Sequence, residues 1–471
     1  MFKLALIILS GSMLGSLLGL VRSIVVAHLI SVTDFGIAST FALSLSVVEM
    51  ISALGLQQQI VQHQDGDNPR YQAALQALHA ARALFSGALL LVLADPIAAF
   101  FNIPDVAWAF RLMAVVPVLN GLTHMDQDRM KRRMRYMPSI LVSVLSMLIS
   151  LAMVWPLSWV VNDYRVMLYA ALGQNVAMLV ISHIVAERRY AWAFSRAVVI
   201  GSVRFGWPIL LNAILLFVVF NGERVIVGRE LGVAALAVFS MAFTLVLTPT
   251  LVMEGSANSF FLPQLAAARQ DPDRFAHLSL SVLQCHLLFA ALIVTGVAVL
   301  GAPVIHLLLG PKYAAAIPIL TWLALMQGVR VAKGGSSAPT LASGFSENGL
   351  VASLMRAALL PVAWYVVAVG GDLLHVIWLG ILGEACGYVA GLWLARRQLH
   401  LSLRPLVPML VATIGMGVIG ALHASGQSSP DQPHLSPLLT GSALILGLVV
   451  VLALAGDLRL YVRRRIVTVR D

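Results

Sequence analysis

Apolar residues run along this chain in stretches of about twenty, separated by short polar links, and a stretch of that length crosses a bilayer as a helix. Fourteen such stretches are predicted as transmembrane helices. They cover residues 4–29, 37–56, 80–101, 106–122, 140–161, 166–185, 207–227, 231–253, 278–300, 314–331, 351–369, 373–394, 406–422 and 438–455. The first apolar run continues to Leu29 without a small-residue cleavage site, so it is read as a retained helix and not a signal peptide. The links are too short to form a separate soluble domain. This pattern predicts an all-α, polytopic membrane protein.

Composition agrees. Of 471 residues, 59% are hydrophobic and 11% charged, with a mean hydropathy of +0.89. A soluble domain carries roughly 25% charged residues, so lipid is the solvent for most of this chain. The formal charge of +10 lies in the short links and not in one patch, which marks orientation and not nucleic-acid binding. With the N-terminus cytoplasmic, the outside links hold only Arg165, Arg229 and Lys312, and Arg330 and Lys333 count among the inside edges. Both termini are therefore expected in the cytoplasm. The basic run Arg129–Arg135 and the tail Arg463-Arg464-Arg465 are expected to touch anionic membrane lipids.

A weak internal repeat is visible. Val21-Arg22-Ser23-Ile24-Val25 in the first helix matches Glu223-Arg224-Val225-Ile226-Val227 in the seventh. Phe35-Gly36-Ile37-Ala38-Ser39 then matches Leu236-Ala237-Val238-Phe239-Ser240. The copies lie six helices apart, so the two halves run parallel about an axis along the membrane normal. This predicts two pseudo-symmetric six-helix bundles, 1–200 and 201–400, with a cavity between them. An extra helix pair and basic tail follow in 401–471. Such an arrangement is that of an alternating-access transporter.

Arginines within predicted helices are the candidate chemistry, because a mid-helix arginine costs about 2.5–3.5 kcal/mol on insertion scales and rarely faces lipid. Arg82 and Arg111 lie near helix ends and are read as snorkelling to the interface. Arg22, Arg224 and Arg356 are the candidates for the interior, and the first two occupy equivalent repeat positions. A guanidinium fork suits the paired oxygens of a diphosphate. The plainer alternative is a buried ion pair with Glu223 or another acid. Glu49, Glu223 and Glu254, with Glu384, are the acidic counterparts, either proton carriers or counter-ions for the arginines. Gly11, Gly15 and Gly19 form a small-residue ridge for close helix packing. Cys285 and Cys386 lie in apolar runs and read as packing residues. No nucleotide loop, nucleophile set or metal cluster is evident, so no catalytic residue, metal or cofactor is expected.

Four stretches carry a family resemblance. They are Arg22 with Asp34-Phe35-Gly36, then Phe100-Phe101-Asn102-Ile103-Pro104, then the repeat copy around Arg224, and finally Leu308-Leu309-Gly310-Pro311-Lys312-Tyr313 with Pro318-Ile319-Leu320. In their order and spacing the chain resembles the polysaccharide (O-antigen unit) flippases of the multidrug/oligosaccharidyl-lipid/polysaccharide exporter superfamily. It departs from them at Ala237, where the second repeat usually has Gly, and at Phe239, where Tyr is common. The resemblance implies a transporter of the bacterial inner membrane and not an enzyme. Its substrate would be an oligosaccharide on an undecaprenyl-pyrophosphate carrier, moved from the cytoplasmic to the periplasmic leaflet. A polysaccharide polymerase and a chain-length regulator are the implied partners. Two rivals share the superfamily: a cation-coupled drug exporter, which needs an acidic cavity, and a lipid II flippase. A membrane-embedded polymerase or ligase would need a larger periplasmic loop than this chain has.

Overall fold

A computed structural model describes residues 2–51, 54–345, 347–428 and 436–470. These residues form helices and turns, with no strand among them. The helices are α1 (Phe2–Leu29), α2 (Val32–Ile51), α3 (Leu56–Gln62), α4 (Pro69–Phe100), α5 (Ala107–Met113), α6 (Val115–Gly121) and α7 (Asp126–Arg132). There follow α8 (Met137–Val160), α9 (Arg165–Ile184), α10 (Arg196–Ile226), α11 (Gly232–Ala267), α12 (Pro272–Leu308) and α13 (Ile317–Ala342). The last are α14 (Glu347–Ala357), α15 (Leu360–Ala368), α16 (Leu373–Leu399), α17 (Val407–Ser428), α18 (Pro437–Leu454) and α19 (Gly456–Arg470). Residues 429–435 of the expected outside link 424–437, and the side chains of Arg464 and Arg465, lie outside the described residues.

Ten helical stretches are long and apolar enough to cross a membrane, or twelve when each of two bent pairs counts as one span. The chain is a multi-pass membrane protein. Large apolar side chains face outward, Val160 and Leu307 both 83% exposed, which is stable against lipid and not against water. Helix starts follow ordinary capping rules. The Asn68 side chain accepts from Arg70 N ahead of Pro69, and Asp271 accepts from Arg274 N ahead of Pro272. Gly310 takes φ +74° where α12 ends, which is why glycine belongs in that Leu-Gly-Pro-Lys stretch.

Several elements differ from the hydropathy reading. The span expected at 106–122 is broken into α5 and α6 at Ala114 and bends by 46° into α7. The span expected at 351–369 is broken between α14 and α15. The span expected at 314–331 belongs to a helix that runs on to Ala342, so Arg330 and Lys333 lie near its middle and not at an inside edge. The residues after Lys333 are Gly, Ser and Ala, too weakly apolar to extend a hydropathy window yet well suited to packing.

The chain divides into two compact units, residues 1–237 and 238–471. In the first, α2, α4, α5, α6 and α9 enclose a core in which Phe41 meets Phe110 edge to face at 5.1 Å, with Leu90, Ala94 and Leu168 around them. Here α10 packs on α2, α3 and α4. Gly11 of the α1 ridge meets Ile140 of α8, where an added Cβ would lie 2.9 Å from that side chain. In the second unit, α12 and α13 pack on α17 and α18, with Leu283, Met409 and Leu444 buried between them. Cys285 is buried in α12, and Cys386 is exposed on α16.

The arginines of the basic run find partners within the protein. Beyond the bend lies α7. There Arg129, 2% exposed, donates to Asp126 Oδ1 at 2.5 Å and to Glu187 Oε2 at 3.0 Å. Arg132 donates to the carbonyls of Val61, His63 and Gln64, Arg133 pairs with Asp67, and Arg135 pairs with Glu187. The expectation that this whole run touches lipid is corrected for Arg129 and Arg132, which find their partners within the first unit.

Candidate functional site

Glycines on α16 make the polar centre of the second unit possible. Gly383 and Gly387 recur four residues apart and flank Glu384. An added Cβ at Gly387 would lie 2.7 Å from the Ala352 carbonyl oxygen of α14 and 3.3 Å from Lys333 Cδ of α13. One at Gly383 would lie 3.2 Å from Arg356 Cδ. The bare backbone thus lets α13 and α14 close on α16. Three cations converge on one carboxylate. Arg330 Nε donates to Glu384 Oε1 at 2.7 Å, Arg356 Nε to the same oxygen at 2.9 Å, and Lys333 Nζ to Oε2 at 2.5 Å. Arg330 also donates to Gln327 Oε1 at 3.3 Å and lies 6.0 Å from the Phe243 ring centroid.

The Glu384 and Arg356 side chains are fully buried, while that of Lys333 keeps 12% exposure. Each of these residues falls near the middle of its span, where moving a lone ion from water is expensive and partners are obligatory. One carboxylate cannot neutralise three cations. Glu254 of α11 brings the next negative charge, half-buried beside α13, where a Cβ at Gly334 would meet its Oε1 at 2.7 Å. The buried His286 ring of α12 lies against Gly334 and Gly335, its Nδ1 bonded to the Val282 carbonyl.

The first unit holds its charges differently. Arg22 of α1 donates to Ser150 Oγ of α8 at 3.0 Å and to Gln174 Oε1 of α9, and has no ion pair among the described residues. It faces these helices and not lipid. Ser150 is itself fixed by donating to the Ala170 carbonyl. Nearer one end, Glu49 of α2 accepts from Asn120 Nδ2 at 3.1 Å and lies within the field of Arg82. Arg82 does not simply snorkel: its Nε is buried, and it lines a cavity of about 340 Å³ with His79, Gln57, Gln58 and Asn212. Arg111, exposed, donates from Nη2 to both carboxylate oxygens of Asp95 at 2.7 and 2.9 Å. Glu223 is buried and Arg224 half-buried in the last turn of α10.

Of the expected site residues, Arg356 and Glu254 therefore join one constellation in the second unit, with Glu384 at its centre. Arg22 and Glu49 belong to separate settings in the first. Arg330 and Lys333 were missed, because hydropathy placed Arg330 at the inside end of a span and Lys333 just beyond it. The legible signal was the Gly383-x-x-x-Gly387-x-x-x-Gly391 ridge around a mid-helix carboxylate.

The sequence matches the polysaccharide biosynthesis protein family over residues 25–318, well over half its length. The chain belongs to that family. Similar curated proteins include the succinoglycan biosynthesis transport protein ExoT of Rhizobium meliloti (strain 1021), 24% identical over 403 residues, covering 83% of this chain and 80% of that one. The lipopolysaccharide biosynthesis protein WzxC of Escherichia coli (strain K12) is 21% identical over 327 residues, covering 66% and 63%. Among solved structures, the inward closed lipid II flippase MurJ aligns with a TM-score of 0.73 at 13% identity, over 98% of this chain and 100% of that one. An inward-facing multidrug resistance MATE transporter of the MOP superfamily aligns with a TM-score of 0.66 at 15% identity, over 82% and 94%. The family thus has the transporter fold that the four sequence stretches implied.

Proposed function

We propose that this chain is a flippase that moves oligosaccharide units on undecaprenyl pyrophosphate from the cytoplasmic to the periplasmic leaflet of the bacterial inner membrane, by alternating access. The observation that carries this reading is the gathering of Arg330, Lys333 and Arg356 on the single carboxylate of Glu384 at mid-membrane. A diphosphate brings the negative charge that this cluster lacks. Lys333, the most accessible of the three, is the group to exchange Glu384 for a phosphate oxygen, while the two guanidinium forks hold the geometry. Arg22 and Arg224, equivalent in the repeat, are proposed to serve the same anion, Arg22 from neutral partners that it can leave cheaply. Glu49, Glu223 and Glu254 are proposed as counter-charges when no substrate is bound. A drug exporter for cations would be poorly served by this excess of positive charge.

The topology proposed is fourteen crossings with both termini cytoplasmic. The continuous helical stretch Arg196–Ala267 has 72 residues, about 108 Å at 1.5 Å per residue, and a bilayer core is about 30 Å thick. It therefore holds two crossings, divided at Gly232 with its φ of +85°. With α1 and the two bent pairs the count reaches the number read from hydropathy. A reporter fused after Ser428 should read periplasm, and one after Ile466 cytoplasm.

The test is surface glycan in a strain lacking the gene and carrying each variant at matched membrane levels. Lys333→Ala should restore little glycan and Lys333→Arg part of it. Full restoration by Lys333→Ala would remove the cluster from substrate binding. The likeness to MurJ favours one second reading, a lipid II flippase, whose cargo shares the diphosphate. It predicts lysis on depletion with surface glycan intact.

A further inference from the structure

We propose that the basic end of the first unit binds the phosphate headgroup of an anionic glycerophospholipid through Arg188 and Arg189, with Trp192 and Phe194 seated among the neighbouring lipids. The segment 185–195 leaves α9 without regular structure and is tied to α4 by Ala193 N donating to the Ala73 carbonyl at 3.2 Å. Irregular backbone is not stable facing hydrocarbon, so the segment lies at the membrane surface. Trp192 is 62% exposed and Phe194 89% exposed. Two bare aromatic side chains beside arginines are the composition of an interfacial anchor.

The charges around it are unequal. Arg129, Arg133 and Arg135 each hold a carboxylate. The Arg188 side chain donates only to neutral oxygens, Gln72 Oε1 at 2.8 Å and the Asp67 carbonyl at 2.7 Å, its backbone N–H donates to Asp126 Oδ2 at 3.3 Å, and neither it nor Arg189 has an ion pair among the described residues. Both line a cavity of about 270 Å³ with Gln72, Gln76 and His124. The His124 backbone is set by donating to Ser182 Oγ at 3.0 Å, and Gln76 Nε2 donates to the Thr123 carbonyl at 2.9 Å, so the walls are built and not loose. Two guanidinium groups with no direct carboxylate partner over a polar cavity call for an oxyanion, and a phosphate fits their forks. The exposed aromatics beside them assign that phosphate to a membrane lipid and not to a soluble anion. This inference does not depend on what the protein transports.

The experiment uses the full chain in detergent, with binding of added phosphatidylglycerol, phosphatidylcholine or inorganic phosphate read by native mass spectrometry. The wild type should retain phosphatidylglycerol over phosphatidylcholine. A lipid-facing basic residue contributes about fivefold in affinity, so Arg188→Gln with Arg189→Gln should weaken phosphatidylglycerol about thirtyfold and leave phosphatidylcholine unchanged. Because Arg188 also braces Gln72 and Asp67, the single variant Arg189→Gln, which breaks no bond in the structure, should lose about fivefold by itself. Equal binding of both lipids by the wild type, or undiminished phosphatidylglycerol binding in Arg189→Gln and the double variant, overturns the site. Displacement of phosphatidylglycerol by equimolar inorganic phosphate overturns the assignment to lipid.

Discussion

At mid-depth in the first unit, Arg22 donates to a serine and a glutamine. At mid-depth in the second, Arg330, Lys333 and Arg356 share Glu384. Neutral dipoles stabilise a lone guanidinium weakly, so Arg22 can change partners at small cost. A carboxylate shared by three cations fixes their positions strongly and leaves positive charge over. The first arrangement suits a group that follows its ligand, and the second suits a preformed anion site. Burying four ions stabilises a fold only when geometry and packing are both right, and the α16 glycines provide that geometry.

The largest effect should come from removing the shared carboxylate. Glu384→Ala leaves three cations facing one another in low dielectric, and breaking a buried pair costs about 3–5 kcal/mol. Thermal unfolding in detergent should show a large loss of Tm, and a Tm within a degree of wild type would show the cluster to be hydrated and weakly coupled. Next is Gly387→Ala, whose methyl would lie 2.7 Å from the Ala352 carbonyl; overpacking of this kind costs about 1–3 kcal/mol, again read as Tm. Arg22→Ala should leave Tm near wild type, because its partners are neutral, but lower transport ten- to a hundredfold, the worth of a charge-assisted hydrogen bond at roughly 1.5–3 kcal/mol. Arg22→Lys should recover part of it. If Arg22→Ala instead collapses Tm with little specific loss of transport, the contrast between the units fails. The smallest effect belongs to Glu49→Gln, exposed and accepting from the neutral amide of Asn120, at under about 1 kcal/mol.

Much of the fold was legible because span length and apolarity are set by the bilayer itself. The repeat arginine Arg22 was legible for the same reason: a charge inside an apolar run has no cheap place to go. Arg330 and Lys333 escaped because the helix packing around them depends on small residues. Gly334 and Gly335 leave room for Glu254 and His286, and a Cβ at Gly391 would meet Ser336 Oγ at 2.6 Å. Small residues that allow helices to touch also lower local hydropathy, so the same feature that builds the site hides its helix. The basic run misled in the opposite sense. Its spacing is that of a lipid-facing anchor, but Asp67 and Glu187, distant in sequence, fold back onto it, and Asp126 pairs with it from within α7. No single-residue signal distinguishes an arginine facing lipid from one facing a carboxylate sixty residues away.

The most direct test of the account is affinity for the charged group itself. Purified protein in nanodiscs should bind a short polyprenyl diphosphate, and Lys333→Ala should weaken that binding roughly ten- to a hundredfold while leaving the polyprenyl alcohol unaffected. Unchanged diphosphate affinity in Lys333→Ala, with the protein folded, would contradict the claim that the Glu384 cluster is the anion site.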